Sequence, residues 1–197
     1  ILVLTYARAA YISLFISLLY CLYLRLPRPF SMKHLIRLGG VLLFIITTAG
    51  ASYFLRPKSA DGRLLIWKVS WQMIKDKPLT GFGKGGFAAN YLYYQAEYMK
   101  SSASKEEKEV AGDTHLAFNE PLRMTVEYGV TGLLTYLAFC IWTLLPPKKK
   151  SFTTLICKSL VAGIVTWGMF AYPDQTYSLL TLWIISIAFI LNKKKTI

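Results

Sequence analysis

The sequence predicts an all-α protein: a multi-pass transmembrane helical bundle with one long outer loop that contains short helices. Three observations predict it. The 197 residues are 54% apolar and have a mean hydropathy of +0.40 despite a net charge of +13. Uncharged apolar runs recur, each near the length that crosses roughly 30 Å of hydrocarbon. Nine of the ten acidic residues fall between residues 56 and 127, so the excess positive charge lies at the margins of the apolar runs.

The composition excludes two other classes of protein. A charge of +13 is typical of proteins that bind nucleic acid, but only 17% of the residues are charged. A soluble basic domain has more charged residues, and a disordered chain has far fewer apolar ones. We therefore expect membrane lipids around the chain and no nucleic-acid partner.

Five apolar runs are predicted to span the membrane: 9–24, 38–55, 128–145, about 155–172 and about 176–192. The first three contain no charged side chain. Lys158 lies near the start of the fourth, where a long side chain can extend to the lipid headgroups.

The basic residues that flank the spans predict their orientation, because cytoplasmic loops retain lysine and arginine. Basic residues without acids lie between the first two spans, at 148–150 and at 193–195. The chain therefore divides into transmembrane helices over 1–55, an outer loop over 56–127 that would carry the active site, and three transmembrane helices with cytoplasmic basic flanks over 128–197. Apolar residues 1–5 are too few to cross and are interpreted as the outer end of a preceding helix.

The outer loop has its own predicted order. A helix begins near Arg63 with Asp61 as its cap, presents a broad apolar face that includes Trp67, and ends at Lys77-Pro78. A glycine-rich turn and an aromatic stretch follow. The charged segment 101–110 is interpreted as a solvated, mobile excursion. A second helix then starts at Pro121, with Asn119 or Glu120 as its cap.

The glycine-rich run has two possible interpretations. Gly81, Gly83 and Gly86 match the GxGxxG pattern of dinucleotide-binding proteins, but no strand precedes them, so we reject that function. The backbone N–H groups beside Lys84 could instead contact an anionic phosphate. A tight turn that requires positive φ explains the glycines equally well.

Histidine and cysteine limit the available chemistry. The chain has two histidines, and His115 is the one in the outer loop, where it is either simply solvated or a group that titrates near neutral pH for catalysis. The loop contains no cysteine and no calcium-loop pattern, so we expect neither a metal nor another cofactor. No pair of carboxylates stands out for glycoside hydrolysis.

Four segments together resemble the O-antigen ligase family. They are Thr5–Tyr11 (TYARAAY), Gly62–Trp67 (GRLLIW), Lys77–Phe87 (KPLTGFGKGGF) and Phe118–Gly132 (FNEPLRMTVEYGVTG). The similarity extends, with gaps, from residue 5 to about residue 135. None of the segments is specific alone; their order and the predicted topology carry the resemblance.

The resemblance implies a multi-pass enzyme of the bacterial inner membrane with its active site facing the periplasm. Such enzymes take a glycan from an undecaprenyl diphosphate carrier and attach it to lipid A core, to a growing glycan or to protein. The two family arginines match Arg8 and Arg63, although Ala7 replaces the usual serine. The family histidine directly precedes the asparagine that matches Asn119, where this chain has Phe118, and His115 lies three residues earlier. Either His115 replaces the family histidine or this branch of the family lacks it.

The catalytic residues that the resemblance implies are Arg63, His115 and Arg8, with Lys84, Asn119 and Trp67 in substrate binding. Arginine forks suit the oxygens of a leaving diphosphate, and His115 would deprotonate the acceptor hydroxyl without a metal. A polymerase and a protein O-oligosaccharyltransferase are alternatives that differ in the acceptor. A membrane transporter or scaffold is the alternative outside the enzymes.

Overall fold

The structure is a computed structural model that describes residues 8–25, 57–147, 151–172 and 176–191. Within these ranges the regular structure is entirely helical, which confirms the all-α class for this part of the chain. The seven helices are α1 (Arg8–Arg25), α2 (Pro57–Asp76), α3 (Gly86–Ser101), α4 (Lys105–Val110), α5 (Glu120–Leu144), α6 (Phe152–Gly168) and α7 (Tyr177–Leu191).

One described helix, α5, is long and apolar enough to cross a membrane by length and composition. Three further helices of the described ranges are apolar but shorter: Ala9–Arg25, Phe152–Gly168 and Tyr177–Leu191. The predicted span 38–55 and the lysine clusters at 148–150 and 193–195 lie outside the described residues. The multi-pass bundle and its orientation therefore stay predictions.

The chain divides into two compact units. One contains α1, α6, α7 and the last residues of α5. In it, the carbonyl groups at the end of α5 accept hydrogen bonds from two side chains: the Tyr20 hydroxyl donates to Leu144, and the Lys158 Nζ donates to Thr143 at 2.7 Å. A helix leaves its last carbonyls without internal partners, and a cation complements the negative end of its dipole. Lys158 is buried here, so the predicted extension towards headgroups is wrong in this structure.

The other unit contains α2, α3, α4, most of α5 and residues 168–172. Helix α2 contacts both α3 and α4. Leu65, Val69 and Met73 are spaced four residues apart on α2, so they share one face, and all three are almost fully buried. The buried cluster comprises Leu65, Ile66, Val69, Met73, Ile74, Phe87, Tyr91, Ala117 and Val126.

The two ends of α2 test the sequence prediction differently. The helix begins at Pro57, a residue that suits the first helical position because its missing N–H would have no partner there. Asp61 therefore lies inside the helix, and the predicted cap at Asp61 is wrong. The predicted end is confirmed: α2 stops at Asp76, since Pro78 disfavours helical geometry at Lys77.

The charged segment after α3 is partly ordered, which corrects the prediction of a mobile excursion. Ser104 and Glu107 form a reciprocal capping box at the start of α4. Glu107 also accepts a hydrogen bond from Lys68 Nζ at 2.6 Å and bonds from the Tyr98 hydroxyl. The bond from Lys68 lowers the pKa of Glu107 below its usual value. These contacts attach α4 to α2 and α3.

Candidate active site

The glycine-rich turn is bound to α5 at a break in that helix. Gly129 has φ 66° and ψ −162°, which is not helical. Because of the break, Val130 N donates to the Pro78 carbonyl at 2.8 Å instead of to Val126. The released Val126 carbonyl accepts from Phe82 N at 2.9 Å, and the Glu127 carbonyl accepts from Gly83 N at 2.8 Å. The turn thus completes the backbone hydrogen bonds that the helix gives up.

A buried ionic cluster supports the same junction from the side of α5. Arg123 donates to Glu120 Oε2 at 2.8 Å and to Glu127 Oε2 at 3.1 Å, and both carboxylates are almost fully buried. The remaining Glu127 oxygen accepts from Gly85 N at 3.1 Å. Buried charges require such partners, since an unpaired one would cost several kcal/mol. Glu127 therefore serves both the ion pair and the turn.

A cavity of about 320 Å³ lies beside α2, bounded by α2, α3, the end of α4 and the segment that precedes α5. Its volume is near the lower end of the range for small-molecule sites. The lining residues are Gly62, Arg63, Leu65, Ile66, Tyr91, Gln95, Val110, Gly112, Asp113, Thr114 and Phe118. The cavity thus combines one cation, one carboxylate and three neutral polar side chains with an apolar wall.

Arg63 and Phe118 contact each other at this cavity. The guanidinium carbon of Arg63 lies 5.4 Å from the centre of the Phe118 ring, within the range of a cation–π contact. Phe118 also packs edge-on against Tyr172, with ring centres 5.5 Å apart. Its backbone has φ 50°, which a bulky side chain rarely adopts and which costs about 1–3 kcal/mol. The fold maintains this conformation, and it places the ring against Arg63.

Tyr91 is one of the residues that line the cavity, and its hydroxyl is buried. Its side chain is fully buried, and the hydroxyl has no hydrogen-bond partner among the described residues. A tyrosine hydroxyl is neutral at physiological pH, and burial raises the pKa of Tyr91 further above its usual value. Gln95 lies one helical turn further along α3 and is also buried.

His115 lies next to this cavity in sequence but does not line it. The imidazole is 64% exposed, and its Nε2 is 3.8 Å from the Asp113 carboxylate, too far for a direct hydrogen bond. Asp113 and Thr114 do line the cavity. No direct hydrogen bond to Asp113 therefore fixes the orientation of the imidazole.

Comparison with known proteins identifies the family. The O-antigen ligase family model matches residues 1–137, well over half of the chain. The chain belongs to the O-antigen ligase family. This confirms the resemblance that the sequence motifs carry and supports a ligase-like or polymerase-like glycan transfer activity, with a glycan donor and an acceptor, in a membrane-associated family. No curated protein and no solved structure matches the chain significantly.

Only some of the site residues that the O-antigen ligase resemblance implies lie at the cavity in the described part of the chain. Arg63 lines the cavity, and His115 is beside it. Lys84 is exposed in the glycine turn, where Gly81, Gly83 and Gly85 have positive φ, as a tight turn requires. The backbone of Arg8 begins α1, but its side chain lies outside the described part of the chain.

The other two predicted substrate-binding residues have structural contacts. Asn119 Oδ1 accepts from Leu122 N at 2.9 Å, the expected cap of α5, and its Nδ2 donates to the Met169 carbonyl at 3.2 Å. Trp67 packs against the buried cluster of α2, and its Nε1 is buried without a partner among the described residues. A role for these residues in substrate binding stays a prediction.

Sequence reasoning missed Gln95 and Asp113 as cavity residues, and it did not single out Tyr91 among the loop tyrosines that could line a sugar or lipid groove or form an interfacial aromatic belt. The tyrosines of α3 follow one another closely, and spacing alone does not reveal which of them faces α2. Asp113 lies 50 residues from Arg63 in the chain and reaches the same cavity through the packing of α2. The described residues contain no cluster of three or more histidine, cysteine, aspartate or glutamate side chains placed to hold a metal.

Proposed function

We propose that this protein transfers an oligo- or polysaccharide from an undecaprenyl diphosphate carrier to an acceptor at the periplasmic face of the bacterial inner membrane. The observation that carries the proposal is the cavity lined by Arg63 in a chain of the O-antigen ligase family. An arginine at a partly enclosed polar cavity suits the diphosphate of the donor, because its planar fork matches phosphate oxygens.

The proposed reaction is a displacement at the first carbon of the donor glycan. The acceptor hydroxyl oxygen attacks that carbon, the bond from the carbon to the diphosphate oxygen breaks, and the electron pair leaves with the diphosphate. The main requirement is therefore to stabilise negative charge on the leaving diphosphate. Arg63 supplies one guanidinium, and Arg8 is proposed as the second.

His115 is proposed to accept the proton of the acceptor hydroxyl. An imidazole is the side chain whose ordinary pKa suits this task near neutral pH. The position that matches the family histidine holds Phe118, which contacts Arg63 directly. His115 would reach the cavity from its edge, next to Asp113, so that no metal is needed for the step.

The test of the function is the glycan profile of a strain that lacks the gene. If the protein is a ligase, we expect long polymer to accumulate on the carrier while the acceptor stays bare, and the wild-type gene to restore transfer. Single repeat units on the acceptor would identify a polymerase instead. Loss of glycan from a protein, with normal lipid A core, would identify a protein O-oligosaccharyltransferase. An unchanged profile would refute glycan transfer and favour a scaffold or transporter.

The base assignment predicts a specific rescue. We expect His115→Ala to lower transfer about 100-fold or more, in line with the loss of a general base. Adding Phe118→His should restore part of the activity, because the new imidazole would lie against Arg63, and histidine tolerates positive φ better than phenylalanine. Transfer is measured as glycan attached to the acceptor per cell.

Two variants control this experiment. Phe118→Leu in the His115→Ala background introduces no group that can accept a proton, so it should not restore transfer. His34→Ala alters the other histidine of the chain and should leave transfer unchanged. Normal transfer by His115→Ala would exclude His115 as the base, and equal rescue by leucine and histidine at position 118 would show that packing, not proton transfer, limits the variant.

A further inference from the structure

The buried hydroxyl of Tyr91 lies in an unusual environment for this side chain. A buried tyrosine normally finds a hydrogen-bond partner, because an unpartnered polar group in an apolar setting costs free energy. Tyr91 is fully buried, and its hydroxyl has no partner among the described residues. Phe87, one turn earlier on α3, stacks on the Tyr91 ring with centres 5.1 Å apart. Phenylalanine would fill the same space at position 91 without the cost, so the hydroxyl needs another explanation.

The polar groups around the cavity indicate what kind of partner would fit. Tyr91 and Gln95 are neutral, Thr114 adds a hydroxyl, and Asp113 adds a carboxylate. A second phosphate would be repelled by Asp113, whereas the hydroxyl groups of a sugar can donate to a carboxylate and accept from a tyrosine. Phe118 adds an aromatic side chain to the lining of the cavity. This part of the cavity therefore suits an uncharged sugar next to an anion at Arg63.

We propose that Tyr91 and Gln95 determine specificity for the carrier-proximal sugar, the one bonded directly to the diphosphate of the donor. This inference rests on the proposed function, since it takes the diphosphate to be at Arg63. Because this sugar is covalently bonded to the diphosphate, it must lie directly beside the diphosphate at Arg63. The cavity of about 320 Å³ is suited to one such sugar and not to an extended glycan.

The experiment compares two ligands on the full-length protein in detergent. One is a short-chain polyprenyl diphosphate, and the other carries a single hexose on the same diphosphate. We expect the wild type to bind the hexose-bearing ligand more tightly. Tyr91→Phe and Gln95→Met should each reduce that difference by about 3- to 10-fold, the size of one lost hydrogen bond, while the affinity for the sugar-free ligand stays the same.

Two further variants separate the possible causes. Arg63→Ala should lower the affinity for both ligands by a similar factor, because both ligands contain the diphosphate. Tyr93→Phe is the matched control for Tyr91→Phe, since Tyr93 is on the same helix but is 71% exposed and does not line the cavity. Tyr91→Phe should unfold at the same temperature as the wild type or a higher one, because it removes an unpartnered buried hydroxyl.

Each outcome has a distinct meaning. If the wild type binds neither ligand, the proposed function fails. The sugar assignment is overturned if the wild type binds both ligands equally, or if Tyr91→Phe lowers the affinity for both by the same factor. In either case the diphosphate assignment stands. If the variants keep the preference for hexose but need more acceptor for transfer, the cavity holds the acceptor, which also overturns the inference.

Discussion

Replacing Arg63 by alanine is expected to reduce glycan transfer by at least 100-fold. The guanidinium is the cation that lines the cavity, and removing a group that stabilises charge on a leaving diphosphate typically costs two to three orders of magnitude in rate, about 3–4 kcal/mol. Arg63→Lys should also be impaired, although less, because an ammonium is a point charge that cannot bind two phosphate oxygens in a planar fork. The measurement is acceptor glycosylation in a strain that lacks the chromosomal gene, with protein level determined in the membrane fraction.

The matched control for Arg63→Ala removes a cation that is on the same helix but remote from the cavity. Lys75 is exposed near the end of α2 and does not line the cavity, so Lys75→Ala should transfer glycan at the wild-type rate. Arg63→Ala must also be present in the membrane at the wild-type level, since Arg63 contacts Phe118 and the substitution changes that packing. Wild-type transfer by Arg63→Ala at normal protein level would remove Arg63 from the mechanism.

Local signals predicted the parts of the outer loop that depend on neighbouring residues. The end of α2 follows from Pro78, and the cap of α5 follows from Asn119, because each acts on the backbone within a few residues. The capping box at Ser104 was also present in the sequence, as a serine followed three residues later by Glu107. The many charges and the lack of apolar periodicity in this segment favour a mobile loop, and they outweigh this local signal in a prediction from sequence.

Long-range contacts account for what the sequence did not predict. The apolar run of α5 indicates a continuous helix through residue 129, and nothing local reveals that Val130 N donates to Pro78. The cavity is similar: Arg63 was predicted from a family motif, but its neighbours Tyr91 and Asp113 depend on how α2 packs against other segments. Spacing fixes the face on which a residue lies, whereas the identity of the facing residues is a tertiary property.

Gly129→Ala is expected to be among the most destabilising single substitutions in this chain, with a loss of about 3 kcal/mol or more in the free energy of unfolding. Two costs combine at this position. The backbone has φ 66°, which a residue with a Cβ rarely adopts, and the added Cβ would collide with the carbonyl groups of Leu79 and Pro78. The measurement is unfolding of the purified full-length protein in detergent, followed by tryptophan fluorescence.

Gly83→Ala separates the two costs. Gly83 also has positive φ, 82°, but a Cβ there would meet no atom within 4 Å. We therefore expect Gly83→Ala to lower the free energy of unfolding by only about 1–2 kcal/mol, which is the cost of left-handed backbone geometry for an alanine. Equal losses in the two variants would show that the collision with Leu79 and Pro78 is relieved, and that the turn is not held tightly against α5.

A straightened helix is the competing outcome for Gly129→Ala. Alanine favours helical geometry over glycine by about 1 kcal/mol, and a regular α5 would return Val130 N to the Val126 carbonyl. That gain is smaller than the loss, because Phe82 N and Gly83 N would then lose their acceptors on α5 and the Glu127 contact to Gly85 would shift. Cleavage by a protease within residues 78–86 should therefore become faster in Gly129→Ala than in Gly83→Ala. A protected turn with wild-type stability in Gly129→Ala would show that α5 and the turn are not coupled at this break.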